Sequence, residues 1–204
     1  MTTASPSRRF TGDLRADILV GLIVIMALGL AFFYQRSLTG RTTPFIDSHS
    51  GLALSIPDNW TVDENNNNDI DTFVTAYNTR SDSIYKSAVS GRSFALDSDN
   101  PATLETIVNG LVQEHQDTLL AFHLMAIQPA TIDGAEAQTI QYAHVTQPID
   151  DPFSSSPPVI VIATDYVIYS AAKEYWVLTL TADEKIAAKE QSDFNTIVSS
   201  IKLP

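Results

Sequence analysis

The side chains best able to do chemistry in this chain are its four histidines, and their spacing does not favour a site. They are His49, His115, His123 and His144. Histidines that bind one metal usually recur within roughly two to five residues, which none of these does. No serine stands in a Gly-x-Ser-x-Gly sequence, and the eight glycines form no phosphate-binding pattern. We therefore expect the histidines to be structural or solvated.

Carboxylates are the next candidates for chemistry. Two pairs, Asp97 with Asp99 and Asp150 with Asp151, are close enough for a hard cation. A calcium loop, however, needs more oxygen ligands and a well-placed glycine. Asp165 lies within an apolar run, where a buried carboxylate would need a partner or a raised pKa, so we expect it to face solvent or lie at a sheet edge. The sequence therefore predicts no catalytic, metal-binding or cofactor-binding residue, and we expect a protein that is not an enzyme.

The chain has a long apolar segment near its amino terminus. Ile18 to Tyr34 is a run of seventeen uncharged residues. As a helix rising about 1.5 Å per residue it would reach about 26 Å, the lower edge of a membrane span. We predict a transmembrane signal-anchor over residues 18–36, after a cytoplasmic tail over residues 1–17.

Two features bear on this anchor. Three arginines precede the run and two follow it, so the positive-inside rule favours a cytoplasmic amino terminus only slightly. A cleavable signal peptide is the alternative, but the residues that follow the run, Gln35 to Gly40, lack a convincing small-x-small cleavage site. An uncleaved anchor with residues 45–204 as an extracytoplasmic domain, joined by a linker over 37–44, is the favoured interpretation. It makes the protein a single-pass protein of the cytoplasmic or inner membrane.

Charge and cysteine content exclude several functions. The chain beyond Thr43 has 7 basic and 22 acidic residues, a net charge of −15. Such a surface repels nucleic acid phosphates and anionic lipid headgroups, so neither is an expected partner. With no cysteine, disulfides, thiol catalysis and lipoprotein acylation are excluded.

The outer segment alternates short apolar strands with two helices. The strands are predicted at Leu52–Ile56, Thr72–Tyr77, Ser93–Leu96, Phe122–Ile127, Gln138–Val145, Val159–Tyr169 and Tyr175–Thr181, and Trp60 with Val62 form a further apolar pair after the first strand. One helix is expected to open at Asn100-Pro101 and end near Leu119, and another to run from about Asp183 to Ser200. Asp133-Gly134 is typical of a hairpin turn. This order predicts an α+β domain with a largely antiparallel sheet covered by helices.

The stretch from Thr146 to Pro158 is the candidate surface for partners. It is a thirteen-residue, proline-rich connection, and long loops of this kind are often functional or disordered. Its large apolar side chains, Ile149 and Phe153, are predicted to contact a partner subunit, with Asp150 and Asp151 meeting basic groups at the rim. The alternative is that both apolar side chains fold back onto their own sheet.

Short motifs in the outer segment resemble a known family. Gly51-Leu-Ala-Leu-Ser-Ile-Pro57-Asp-Asn-Trp60 is similar to the opening strand and turn of the PsbP-like group, which includes exported bacterial domains of the DcrB and LpqN type. Ile132-Asp133-Gly134, Tyr175–Thr181 and a last helix ending at Phe194 to Lys202 follow in the same order. The resemblance implies an α/β/α sandwich. It also implies an accessory role, because plant members dock on photosystem II, but it carries no metal or docking residue onto this chain.

Three functions follow from these observations. The first is a membrane-anchored, non-catalytic accessory or assembly subunit of a larger membrane complex, photosynthetic or respiratory. The second is a stand-alone extracytoplasmic module that binds a ligand or cation, although no small-molecule ligand is indicated. The third is an undetected hydrolase. A surface patch suffices for the first function, whereas the second needs a concave pocket with convergent polar groups.

Overall fold

The computed structural model describes residues 18–30, 41–63, 71–97, 99, 102–146, 157–170 and 174–204. The chain divides into two units, residues 1–41 and residues 42–204. In the first unit, residues 18–30 are helical and their side chains are all exposed. Within the described ranges, none of the helices combines the length and hydropathy needed to cross a bilayer.

The second unit is a mixed α+β domain with nine strands and two helices among its described residues. The strands are β1 Thr42–Ile46, β2 Ala53–Pro57, β3 Trp60–Val62, β4 Thr72–Asn78, β5 Ala88–Ala95, β6 His123–Ile132, β7 Ala135–Thr146, β8 Val159–Ser170 and β9 Glu174–Asp183. The helices are α1 Leu104–Thr118 and α2 Ala187–Ser199. Seven strands form one antiparallel sheet in the order β3-β4-β5-β9-β8-β7-β6. β1 and β2 form a separate antiparallel pair.

The two helices lie on opposite faces of the large sheet. Successive residues of a strand point to opposite faces, so β9 identifies what covers each side. Trp176 and Leu178 pack with Phe194 and other apolar residues of α2, together with the β1–β2 pair. Val177, between them in sequence, packs with Leu104 and its neighbours on α1. The domain is therefore a helix–sheet–helix sandwich with two hydrophobic cores.

Several helix and strand ends differ from the sequence prediction. The N-cap of α1 is Thr103, whose side chain accepts a hydrogen bond from the Thr106 N–H at 3.2 Å, so a helix opening at Asn100-Pro101 is wrong. The last helix begins at Ala187, since Asp183 still pairs within β9. β1 begins in a stretch that the sequence predicts to be a polar linker. This segment is a strand because it pairs with β2, and that pairing cannot be recognised from composition.

β5 is longer than its sequence suggests. It begins at Ala88 and passes through Gly91, which the sequence pattern places in a polar connection. A Cβ at Gly91 would lie 2.3 Å from Cζ of Phe73, so the glycine makes room for that ring. The glycine here marks a close approach between neighbours inside a strand and does not mark a turn.

The apolar pattern of the sequence predicts eleven mainly buried residues: Trp60, Phe94, Leu104, Ile107, Leu111, Ile160, Ile162, Trp176, Leu178, Phe194 and Ile197. This predicted core is confirmed on the helices and wrong on part of the sheet. Eight of its members are buried: Trp60, Leu104, Ile107, Leu111, Trp176, Leu178, Phe194 and Ile197. On β8, however, Ile160 is 47% exposed and Ile162 is half-buried, whereas Val161 and Ala163 are fully buried. Phe94 is also only half-buried. Both faces of β8 are apolar, so its alternation does not indicate which face is the better covered one.

Candidate partner-binding surface

A cleft at one end of the sheet is lined by three segments that lie far apart in sequence. They are residues 82–84 between β4 and β5, residues 157–160 at the start of β8, and residues 183–186 from the end of β9 to the start of α2. Antiparallel pairing of β8 with β9 brings Val161 opposite Asp183, which places the second and third segments side by side. The cleft has a volume of about 400 Å³.

Two large apolar side chains stand exposed in this cleft. Ile84 is 62% exposed and Ile160 is 47% exposed, and both line it. Pro157 and Pro158, also exposed, add further apolar surface with little conformational freedom. Single exposed aliphatic residues are ordinary on protein surfaces, but a contiguous group in a concavity is typical of an interaction site.

Acidic groups share the cleft with this apolar surface. Asp183 accepts hydrogen bonds from the Ser83 hydroxyl and, at 2.9 Å, from the Lys185 N–H. The bond from Ser83, and then that from Lys185, hold the pKa of Asp183 below its usual value, so it is ionised at neutral pH. Asp82 and Glu184 also line the cleft, with Lys185 as its basic residue, and Asp82 is paired with the exposed Lys189 at 3.1 Å. The surface therefore suits an apolar group that is flanked by positive charge.

The loop residues predicted to bind partners lie outside the described residues. Ile149, Asp150, Asp151 and Phe153 all belong to the undescribed range 147–156. The described chain resumes at Pro157, which already lines the cleft. The sequence did not single out the Ile84 side of the cleft, because only the fold brings residues 82–84 next to the start of β8.

A second group of polar residues is buried between α1 and the sheet. Asp165 is fully buried, and its Oδ2 lies 2.7 Å from Nε2 of His115. Its Oδ1 accepts a hydrogen bond from the Tyr142 hydroxyl at 3.3 Å. Burial first, and the Asp165 carboxylate next, raise the pKa of Tyr142 far above its usual value. The expectation that Asp165 faces solvent is therefore wrong, because a helix carrying a matching histidine covers it.

The geometry of this buried group favours a structural role. The rings of His115 and Tyr142 lie 4.7 Å apart, and Phe122 closes the group at 5.4 Å from Tyr142. None of these side chains lines the cleft. The group joins α1 to β7 and β8 through polar contacts. A signal for it was present in the sequence, because His115 continues the apolar spacing of Leu104, Val108 and Leu111 along one helix face.

The remaining histidines and carboxylates do not gather into a metal site in the part of the chain that the structure describes. No group of three or more histidine, cysteine, aspartate or glutamate side chains is placed to hold an ion there. Lys202 instead donates to Asp133 at 2.7 Å, and Asp47 accepts from the Ser50 hydroxyl at 2.5 Å. These carboxylates stabilise turns and the chain end.

Comparison with solved structures identifies the fold of this domain. CyanoP, the cyanobacterial PsbP of Synechocystis, matches with a TM-score of 0.57 and 14% identity over 80% of this chain and 92% of that chain. The chain has the PsbP-like fold. LpqN of Mycobacterium tuberculosis, described as involved in cell envelope biogenesis, matches with a TM-score of 0.57 and 13% identity over 80% and 91% of the two chains.

A further solved structure with a similar fold is the Ran-binding protein Mog1p of Saccharomyces cerevisiae. Its TM-score is 0.52 at 10% identity, over 80% of this chain and 95% of that chain. At such identities the likeness establishes the fold alone. No family model matches the chain, and no curated protein sequence matches it.

Proposed function

We propose that this protein is a non-catalytic accessory or assembly subunit of a membrane complex, and that its PsbP-like domain binds a protein partner through the cleft. The observation that carries the proposal is the pairing of exposed Ile84 and Ile160 with the carboxylates of Asp82, Asp183 and Glu184 in one concavity. The partner supplies an apolar side chain flanked by lysine or arginine. The apolar contact contributes affinity, and the charges favour encounter and orientation.

The amino-terminal segment is proposed to hold this domain at the membrane, on the extracytoplasmic side. Support comes from the seventeen uncharged residues of Ile18 to Tyr34, of which residues 18–30 are helical. A helix of such residues is favourable where an apolar medium surrounds it. A photosynthetic or respiratory complex is the class of partner that the sequence resemblance favours.

The test is a size measurement on the full chain, extracted from its own membranes in mild detergent. Wild-type protein is expected to migrate with a larger complex, and Ile84→Ser with Ile160→Ser to migrate alone with an unchanged unfolding midpoint. Ile46→Ser is the matched control, because Ile46 is 68% exposed and lies outside the cleft. A wild-type protein that migrates alone contradicts the accessory function. Retention of the double variant contradicts the cleft.

The loop that precedes the cleft is tested separately. We propose that Ile149 and Phe153 extend the same partner contact, with Asp150 and Asp151 meeting its basic rim. Ile149→Ser with Phe153→Ser is then expected to release the partner at unaltered domain stability. A lowered stability with intact association would instead place both side chains against their own domain.

A further inference from the structure

The outer edge of β6 is the second unusual surface of this domain, and it lies at the opposite side of the sheet from β4 and β5. β6 ends the sheet order, so in the described part of the chain no strand pairs with its outer side. It has ten residues, and none of them is aspartate, glutamate, lysine or arginine. In an outer domain of net charge −15, an uncharged edge of this length stands apart from the rest of the surface.

Proteins normally protect edge strands from pairing with other chains. Short length, charged side chains, proline and bulges are the usual devices. The opposite edge, β3, has only three residues. β6 has a register shift between Leu124 and Ala126, and it contains Pro129, but it has no charged residue. Its protection is therefore partial.

The hairpin turn after β6 determines which backbone groups face outward. Asp133 and Gly134 have φ values of 47° and 85°, as a two-residue type I′ turn requires. Such a turn is closed by a hydrogen-bonded pair, here Ile132 with Ala135, and hydrogen-bonded pairs then recur at every second residue. The N–H groups of Thr131 and Ile127 consequently point away from β7. Pro129, between them, has its nitrogen on the outer side, where the missing N–H costs the sheet no bond.

Apolar side chains accompany this open backbone. Leu124, Met125 and Ile127 are all exposed, Met125 at 55%, and Leu120, just before the strand, is 69% exposed. Leu124 and Ile127 are opposite Tyr142 and Ile140 on β7, so both lie on the face that α1 covers. A strand added to β6 would cover these side chains while its backbone bonded the free groups.

The charges around the edge identify the added strand. Glu136 lies exposed beside the hairpin turn, and Asp117 lies exposed in the last turn of α1, close in sequence to the start of β6. Asp133 in the hairpin turn is already paired with Lys202 at 2.7 Å, and Glu114 is paired with Arg92 of β5 at 3.8 Å, away from this edge. In a second copy paired antiparallel, the Glu136 end would meet the Asp117 end, and two domains of charge −15 would adjoin. Like charges disfavour that arrangement. A strand with an apolar centre and basic ends meets opposite charge at both ends.

We propose that β6 is a strand-addition site for an extended segment of another protein, apolar at its centre and basic at its ends. The pairing extends over residues 123–128, because Pro129 offers no donor to the added strand. Backbone hydrogen bonds supply affinity in this mode of binding, and alternate side chains supply specificity. The proposal does not depend on the cleft, since no residue of β6 lines it.

The test uses a synthetic ten-residue peptide of alternating valine and threonine with two lysines at each end. The full chain in mild detergent is mixed with this peptide, and amide hydrogen exchange is followed residue by residue. The N–H of Ile127 should become protected, because it is exposed on the open edge and bonded after strand addition. The same peptide with glutamate in place of lysine should protect it far less. Protection confined to residues 82–84 and 183–186 would show binding at the cleft and overturn the proposal.

Three variants sharpen this experiment. Ile127→Lys places a charge on the edge and should weaken peptide binding about tenfold or more. Pro129→Thr supplies the missing donor and should strengthen binding about two- to tenfold, the effect of one backbone hydrogen bond. Ile46→Lys is the control, because Ile46 is 68% exposed and lies outside both β6 and the cleft, and it should leave the protection of Ile127 unchanged.

Two results would overturn the proposal. One is peptide affinity that is the same in Ile127→Lys and Pro129→Thr as in the wild-type protein. The other is protection of Ile127 that rises with protein concentration in the absence of peptide. That second result would assign the edge to a second copy of this chain.

Discussion

At the scale of single residues, the fully buried carboxylate of Asp165 depends most strongly on its neighbours. A carboxylate removed from water loses its hydration, and only well-placed donors offset that loss. His115 and Tyr142 are the donors here, one from α1 and one from β7. The three side chains therefore depend on the docking of a helix on a sheet, and the docking depends in turn on them.

Removal of one partner should show this dependence. His115→Ala leaves Asp165 buried without its closest contact, so the free energy of unfolding should fall by about 3 to 5 kcal/mol. Urea unfolding at pH 7 measures it. His123→Ala is the control, because His123 is exposed on β6, and a change within about 0.5 kcal/mol is expected. A similarly small loss for His115→Ala would show that the buried pair does not stabilise the domain.

His144 should give the domain a dependence on pH. Burial first, and the nearby His115 next, lower the pKa of His144 below its usual value of 6.5. In the unfolded chain the imidazole therefore binds a proton at higher pH than in the folded protein. Stability from this residue is present above about pH 6.5 and is lost as the pH falls from there towards the folded pKa. Between pH 7.5 and 5.5, wild-type protein should lose more stability than His144→Gln. Equal losses would exclude His144 as the source.

At the scale of elements, α2 depends on one aromatic residue for its place on the sheet. Phe194 is buried, and its ring meets that of Trp60 edge-to-face with centroids 5.8 Å apart. Phe194→Ala should therefore lower the free energy of unfolding by about 3 to 5 kcal/mol. Ser192→Ala, at an exposed position of the same helix, is the matched control. Thermal unfolding of both variants provides the measurement, and an unchanged midpoint for Phe194→Ala would mean that α2 does not pack as described.

Elements that depend on local chemistry were predicted from the sequence, and those that depend on distant neighbours were not. The turn at Asp133-Gly134 and the apolar face of α1 follow from residue types a few positions apart. β1, in contrast, is a strand because it pairs with β2, and Asp165 is buried because α1 covers it. Ile160 was predicted to be buried, but it is 47% exposed. Alternation along a strand shows which residues share a face, and it does not show which face is better covered.

The candidate sites divide in the same way. A long proline-rich stretch indicates a loop of interest, but the loop itself lies outside the described residues. The cleft beside it combines segments from residues 82–84, 157–160 and 183–186, and no sequence window contains all three. The open edge of β6 is invisible to pattern analysis, because strand order decides which strand is last.

At the scale of the whole molecule, the apolar amino-terminal segment should remain in the mature protein. Residues Gln35 to Gly40 lack a convincing cleavage site for a signal peptidase, so we expect Ile18 to Tyr34 to be retained. Intact mass of protein purified from its membranes decides this. A mature chain that begins after Arg36 would identify the segment as a signal peptide and leave the domain without the proposed anchor.

The strand order also determines when the seven-stranded sheet can be completed during synthesis of the chain. β3, β4 and β5 form one run of neighbours, β6 to β9 form another, and the two runs join only where β5 pairs with β9. When the chain emerges from a ribosome or an export channel, β5 appears before β9, the strand with which it pairs. The carboxyl-terminal residues then fasten the assembled sheet, since Lys202 pairs with Ala53 of β2. Until about residue 183 has emerged, β5 has no partner on its inner side, so the β3-β4-β5 run has an open edge that a chaperone for extended segments could bind.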